Sequence, residues 1–258
     1  MPRRLSTILG NIKASNVRPL DGDDRLHAKA LIPLAALGRW FADDGGTGDE
    51  REDAARAAAG ITFAGCFRLG EIVASQAGDE FRGLQRGQCE LAVDRRGRIL
   101  SLSVRLRVNK TRRPRIVQVG AATPLVWGPD GLEGSPTCGL RVGLDWIRRA
   151  SGCASAAALD RWLRTEPEDV GRRHVFRGDT WFLDARVVAG SLRRWCAAPE
   201  ATGHSLRVTA ATTLRRQGGS IEEVMNFGGW DSSKSLRAYF RSVQQLLRPL
   251  PIDDTITV

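Results

Sequence analysis

Apolar residues recur at helical spacing from Leu26 to Phe41, at Leu31, Leu34, Leu37 and Phe41, and stop at the breaker running from Asp43 to Asp49. That pattern predicts a first helix ending there. Glu50 to Ala74 is alanine-rich and carries Ile61, Phe63, Phe67, Ile72 and Val73, which predicts one or two buried helices meeting near Gly65. The period then switches to two: Leu102, Val104, Leu106 and Val108 alternate with Ser103, Arg105 and Arg107, the pattern of a half-buried strand. Leu91 to Val93 and Arg115 to Val119 are its expected partners, joined by turns at Arg95 to Arg98 and at Lys110 to Pro114. Helical spacing returns at Leu140–Ala150, Ala156–Leu163, Phe182–Ala197, His204–Arg216, Ile221–Phe227 and Ser233–Leu247. Ser220 to Glu223 reads as a capping box, and Pro249 and Pro251 stop the last helix.

These elements predict a mostly α chain with a small three-stranded antiparallel sheet, an α+β arrangement. Residues 1–25 are polar and hold Pro2 and Pro19, as an arm or linker would; residues 26–258 are expected to form the main domain, with 248–258 as its tail.

With 258 residues, 42% of them hydrophobic, the chain can bury a large core, so disorder throughout is excluded. A formal net charge of +10 favours a polyanionic partner, nucleic acid or an anionic membrane. There is no run of 18 apolar residues, and Met1-Pro-Arg-Arg-Leu5 lacks the apolar stretch of a signal peptide, so an intracellular chain with no membrane is expected. The five cysteines are scattered, without a C-x-x-C pair or histidine at ligand spacing; reduced core thiols and no metal site follow.

Several residues are placed where chemistry could use them, and each also has an ordinary structural reading. His204 and Arg207 are three apart and leave one face of one helix. Arg68 ends an apolar run, where a guanidinium needs an anion or carboxylate, and Glu71 stands three residues on. The pair is either a buried structural bridge or a carboxylate orienting a phosphate grip. Lys110, one of four lysines in an arginine-rich chain, is an exposed turn residue or a general acid, since an ammonium can lose a proton and a guanidinium effectively cannot. Around it Arg95, Arg96, Arg98, Arg105, Arg107, Arg112, Arg113 and Arg115 occur with no acidic residue between, as a solvated face or a phosphate-contact stripe. Trp230 follows Gly228-Gly229, and its indole N–H is an uncharged donor unless it is simply core. Tyr239 is the only tyrosine, either a half-buried phenol or a nucleophile.

Gly203-His-Ser-Leu-Arg207, the run from Gly219 to Trp230, and Arg237-Ala-Tyr-Phe-Arg241 together resemble the second conserved box of the tyrosine recombinases, closest to the Cre-like branch with its tryptophan in place of a second histidine. Cys66-Phe-Arg-Leu-Gly-Glu71 resembles the first box, and Asn109-Lys-Thr111 the hairpin lysine. The resemblance spans about residues 26–247, most closely at 203–241. It implies a catalytic domain of the DNA breaking-rejoining fold. Tyr239 would attack a scissile phosphate to form a 3′-phosphotyrosyl bond; Arg68, Arg207 and Trp230 would hold the non-bridging oxygens; His204 would assist the phenol; Lys110 would protonate the leaving oxygen; Glu71 would support Arg68. Arg105, Arg107, Arg112, Arg113 and Arg115 would bind the DNA backbone. Neither metal, ATP nor any small-molecule cofactor is implied. The partner would be double-stranded DNA, engaged by a homo-tetramer of a mobile-element integrase, in a nucleus or a nucleoid according to the host.

Two features depart from the family. Arg68 and Lys110 are 42 residues apart, longer than the branch leads one to expect, so extra length in the hairpin is anticipated. The family also has an N-terminal helical clamp ahead of the catalytic part, so either a fragment or a grip completed by another subunit is expected. The other readings are a recombinase-derived DNA-binding protein without strand exchange, and a type IB topoisomerase. The six intact positions argue against the first, and the close His-x-x-Arg before tyrosine argues against the second.

Overall fold

The computed structural model describes residues 31–43, 48–74, 82–106, 114–233 and 236. After Pro33 the chain enters α1 (Leu34–Ala42), whose buried side carries Leu37, Trp40 and Phe41. Asp49 then caps α2 (Glu50–Ala64) by accepting from Arg51 N at 2.9 Å, with Glu50, Glu52 and Asp53 in the first turn, where acidic groups complement the helix dipole. From Ala54 to Ala64 every residue of α2 is buried, which marks it as the central helix. Gly65 ends it, and the short α3 (Leu69–Ile72) follows, so the two helices expected to meet near Gly65 do meet there.

The sheet contains β1 (Cys89–Val93), β2 (Ile99–Leu106), β3 (Arg115–Trp127) and β4 (Leu132–Glu133), antiparallel in that order. Four strands replace the three expected. The third strand also runs past its expected end at Val119, although Gly120-Ala-Ala-Thr-Pro124 is poor in strand formers. Pairing carries the strand through it: the register with β2 jumps from Ser101↔Gly120 to Ile99↔Leu125, and the far end then pairs Val126↔Glu133 and Trp127↔Leu132 with β4. A two-residue strand has too little periodicity to be seen in sequence.

The remaining helices are α4 (Gly139–Ser151), α5 (Ala156–Arg164), α6 (Ala185–Trp195), α7 (Ser205–Arg216) and α8 (Ile221–Gly228). Among the described residues the chain is thus a mixed α+β arrangement of eight helices and one sheet. α8 opens with the expected capping box: Ser220 Oγ accepts from Glu223 N at 3.0 Å, and Glu223 Oε2 from Ser220 N at 2.7 Å. Beyond it Ser233 and Leu236 are helical, and Leu236 is fully buried. The rest of the last helix and the tail lie outside the described residues. No helix among those described is long and apolar enough to cross a membrane.

The α2–α4 crossing depends on absent side chains. A Cβ on Gly60 would stand 2.5 Å from Gly139 O, and one on Gly139 would strike Gly60 O, so the backbones touch. Gly60→Ala is therefore expected to destabilise the fold by about 2–3 kcal/mol through overpacking. Gly190, on α6, has open space at its Cβ position, and Gly190→Ala is expected to stabilise by roughly 0.5 kcal/mol because alanine is the better helix former. Denaturant midpoints of both variants check the contrast; equal midpoints would show that the helices can part freely.

Candidate active site

The site begins with a strained residue. Cys66 sits at φ +51° immediately after the end of α2, a left-handed conformation that costs an L-residue roughly 1–2 kcal/mol. Hydrogen bonds hold it there: Cys66 N donates to Phe63 O at 3.2 Å and Phe67 N to Thr62 O at 2.9 Å. The turn aims Cys66 O at Arg207, whose Nη1 donates to it at 3.0 Å, while the Cys66 thiol donates to Arg207 O at 3.5 Å. Residues 141 positions apart are joined by that reciprocal pair.

Two residues further on, Arg68 is the N-cap of α3, and its backbone N–H donates to Glu71 Oε2 at 2.8 Å. The same carboxylate takes Arg68 Nη1 on Oε1 at 3.0 Å and Arg115 Nη2 on Oε2 at 3.0 Å. Glu71 is buried, Arg115 mostly so, and Arg68 keeps 28% of its side chain exposed, so only that guanidinium of the bridge reaches outward.

Arg207 projects from α7 and is 1% exposed. Its Nη2 donates to Gly228 O at 2.6 Å, and its guanidinium carbon lies 4.0 Å from the centroid of the Trp230 ring. Gly229, at φ +67°, turns the chain out of α8 into Trp230. Trp230 is itself buried. His204, exposed at the N-cap of α7, donates its backbone N–H to Thr202 Oγ1 at 3.2 Å. Gly203 seats that end of the helix against α3, since a Cβ there would meet Leu69 Cδ2 at 2.7 Å.

The electrostatics are one-sided. In this hydrogen-bonded cluster three guanidinium groups, Arg68, Arg115 and Arg207, face one carboxylate, Glu71. Burial pushes Arg207 down to about 10; Cys66 and Glu71 act against that, and the like charges of Arg68 and Arg115 add to it. Arg207 stays cationic at neutral pH. Burial likewise raises the Cys66 thiol to about 11 in spite of Arg207 and Arg115, so the thiol supplies no balancing charge. Such a cluster is suited to an anion that brings two negative charges' worth of acceptors, as a phosphate does.

Glu71→Gln removes the only carboxylate from this group. It is expected to destabilise by about 2 kcal/mol, less than for a fully buried pair because Arg68 is partly exposed. Inorganic phosphate should restore part of the loss, because an anion bound only by the folded state shifts the equilibrium toward it. Thermal unfolding in phosphate and in chloride checks this; an identical loss in both would show that no anion enters.

Of the residues singled out from sequence, Arg68, Glu71, Arg207 and Trp230 thus lie in one network, with His204 at the N-cap of α7, three residues before Arg207. Arg105 is exposed on β2, opposite Ile116. Arg115, expected on the outward stripe, points inward to Glu71 and to Phe227 O, which its Nη1 meets at 3.2 Å. Arg107, Lys110, Arg112, Arg113 and Tyr239 lie outside the described residues. The chain leading to them is placed: Leu106 pairs with Arg115, and Leu236 N donates to Ser232 O at 3.4 Å, three residues before Tyr239. Sequence reasoning missed the carbonyls of Cys66, Phe227 and Gly228 as partners of the arginines. Gly228-Gly229 was their one visible signal.

Residues 152–245 match the phage integrase family. No curated protein matches the chain. The matched segment holds His204, Arg207, Trp230 and Tyr239, while Arg68, Glu71 and Arg115 come from outside it. At the site, the hydrogen bonds from Arg207 to Cys66 O and from Arg115 to Phe227 O are among those that join the two parts.

Proposed function

We propose that this protein is a site-specific DNA recombinase of the Cre-like kind that cuts and rejoins double-stranded DNA through a 3′-phosphotyrosyl intermediate. The phenolic oxygen of Tyr239 attacks phosphorus as the bond to the 5′ oxygen breaks. The phenol proton passes to His204, and Lys110 gives a proton to the departing oxygen, leaving a free 5′-hydroxyl. Attack by a 5′-hydroxyl of a second strand reverses these steps, so no bond energy is lost and no ATP is needed. Arg68, Arg207 and the Trp230 indole N–H carry the charge that develops on the non-bridging oxygens. With that charge met by guanidiniums, the reaction requires no metal. Arg105, Arg107, Arg112 and Arg113 contact the backbone on either side, and a homo-tetramer holds the two duplexes.

The observation that carries this reading is the excess of guanidinium over carboxylate around Glu71, assembled from four segments of chain and bonded to the segment that matches the integrase family. It is tested by incubating the protein with a pool of randomised duplexes bearing a nick in one strand, so that a released fragment diffuses away and the cleaved state is trapped. A protein–DNA adduct that survives denaturation and is destroyed by protease is expected. Retention of specific duplexes without any adduct would establish instead a DNA-binding protein that does not exchange strands.

A further inference from the structure

We propose that Arg115 is a positioning residue: it sets the Trp230 turn at its working distance from the Arg68–Glu71 pair. This rests on the strand-exchange reading above and adds to it a residue expected from sequence to touch DNA.

The geometry has three parts. Arg115 opens β3, and its side chain is 13% exposed, so little of it faces outward. One nitrogen of its fork is held by Glu71 at 3.0 Å and the other by Phe227 O at 3.2 Å. The second contact lies beside the one made by Arg207, which takes the next carbonyl, Gly228 O. Two guanidiniums therefore bind successive carbonyls at the C-terminal end of α8, where the helix dipole favours cations. Gly229 follows directly, and a Cβ at that position would strike Arg115 Nη1. The glycine is thus required twice, for its φ of +67° and for the approach of the arginine.

The two arginines do different jobs. Arg207 is stacked on Trp230 and reaches back to α2 through Cys66 O. Among the described residues it is Arg115 that joins the α8 end to Glu71, the carboxylate that also orients Arg68. It is a strut between the group that grips phosphate and the turn that leads to the nucleophile. Small misplacements of reacting groups are costly, about 100-fold for an ångström, so a strut of this kind controls rate without contacting the substrate.

The test compares Arg115→Gln, Arg115→Lys and Gly229→Ala with the parent. DNA binding is followed with a fluorescent duplex of arbitrary sequence across a salt series. Cleavage is followed by adduct formation on the nicked pool, and the turn by the fluorine resonance of Trp230 in 5-fluorotryptophan protein, assigned through Trp230→Phe. Arg115→Gln is expected to slow adduct formation by about 100-fold, with unchanged duplex affinity and salt slope, and to shift or broaden the Trp230 resonance. Arg115→Lys, which keeps the charge but not the fork, should recover only part of the rate. Gly229→Ala should act like Arg115→Gln, and should add little in that background if both break the same contact. A salt slope lowered by about one with weaker binding would make Arg115 a backbone-phosphate contact and overturn the proposal. An unmoved Trp230 resonance, or additive losses in the double variant, would overturn it equally. The salt slope and the resonance are read without any cleavage, so failure of the strand-exchange reading itself, an absent adduct from the parent, is recognised separately.

Discussion

Tyr239→Phe is expected to abolish the denaturation-resistant adduct, a fall of at least about 10⁴-fold, while duplex affinity stays within about twofold. The change removes one oxygen atom and keeps the ring, so packing around the position is disturbed as little as a substitution allows. The chain has no second tyrosine. A residual adduct in Tyr239→Phe could therefore not be phosphotyrosine from another position, and its chemistry would point to serine, histidine or lysine. That outcome would sink the assignment of the nucleophile. Retained affinity matters as much as lost cleavage, because a variant that no longer binds DNA says nothing about covalent chemistry. Adduct yield on a denaturing gel and fluorescence anisotropy of the same preparation check both halves.

Arg207→Lys should have the second largest effect. The guanidinium spans two carbonyls, Cys66 O at 3.0 Å and Gly228 O at 2.6 Å, with its central carbon 4.0 Å from the centroid of the Trp230 ring. An ammonium is a compact point charge and cannot span both. One buried carbonyl is left unsatisfied, at about 1–3 kcal/mol, and the contact with the indole weakens by roughly 1 kcal/mol. A total loss of about 3 kcal/mol in unfolding free energy is expected. Adduct formation should fall further than that loss explains, by about 1,000-fold at temperatures where the variant is folded, because a donor to the developing phosphate charge is gone. Parent-like cleavage by a folded Arg207→Lys protein would reduce Arg207 to a structural tie.

Much of the local structure was legible because it follows from short-range physics. The α2 boundary at Gly65, the alternation of β2 and the Ser220–Glu223 capping box each depend on residues within a few positions. The helical spacing of the run to Arg216 likewise puts Arg207 on α7, with His204 at the N-cap. Where the reading fell short, a partner far along the chain was responsible. β3 continues past Gly120 because its extra residues bulge out between Gly120 and Leu125, pairing with β2 resumes at Ile99, and β4 receives its end. The helix expected from Phe182 starts only after Asp184 caps it, because Phe182 forms a β-bridge with Arg177. Arg115 was grouped with its basic neighbours because charge density along a sequence does not reveal which way a side chain turns.

By itself the sequence determined most of the described helices, the alternating strand and the basic balance, since period, capping and side-chain type are properties of the chain. Only the tertiary structure decided which of the arginines share Glu71, that Cys66 must take a left-handed turn to offer its carbonyl, and that Arg115 faces inward. Those outcomes depend on hydrogen bonds between residues as many as 141 positions apart, and burial makes each such bond obligatory once the core has closed around it.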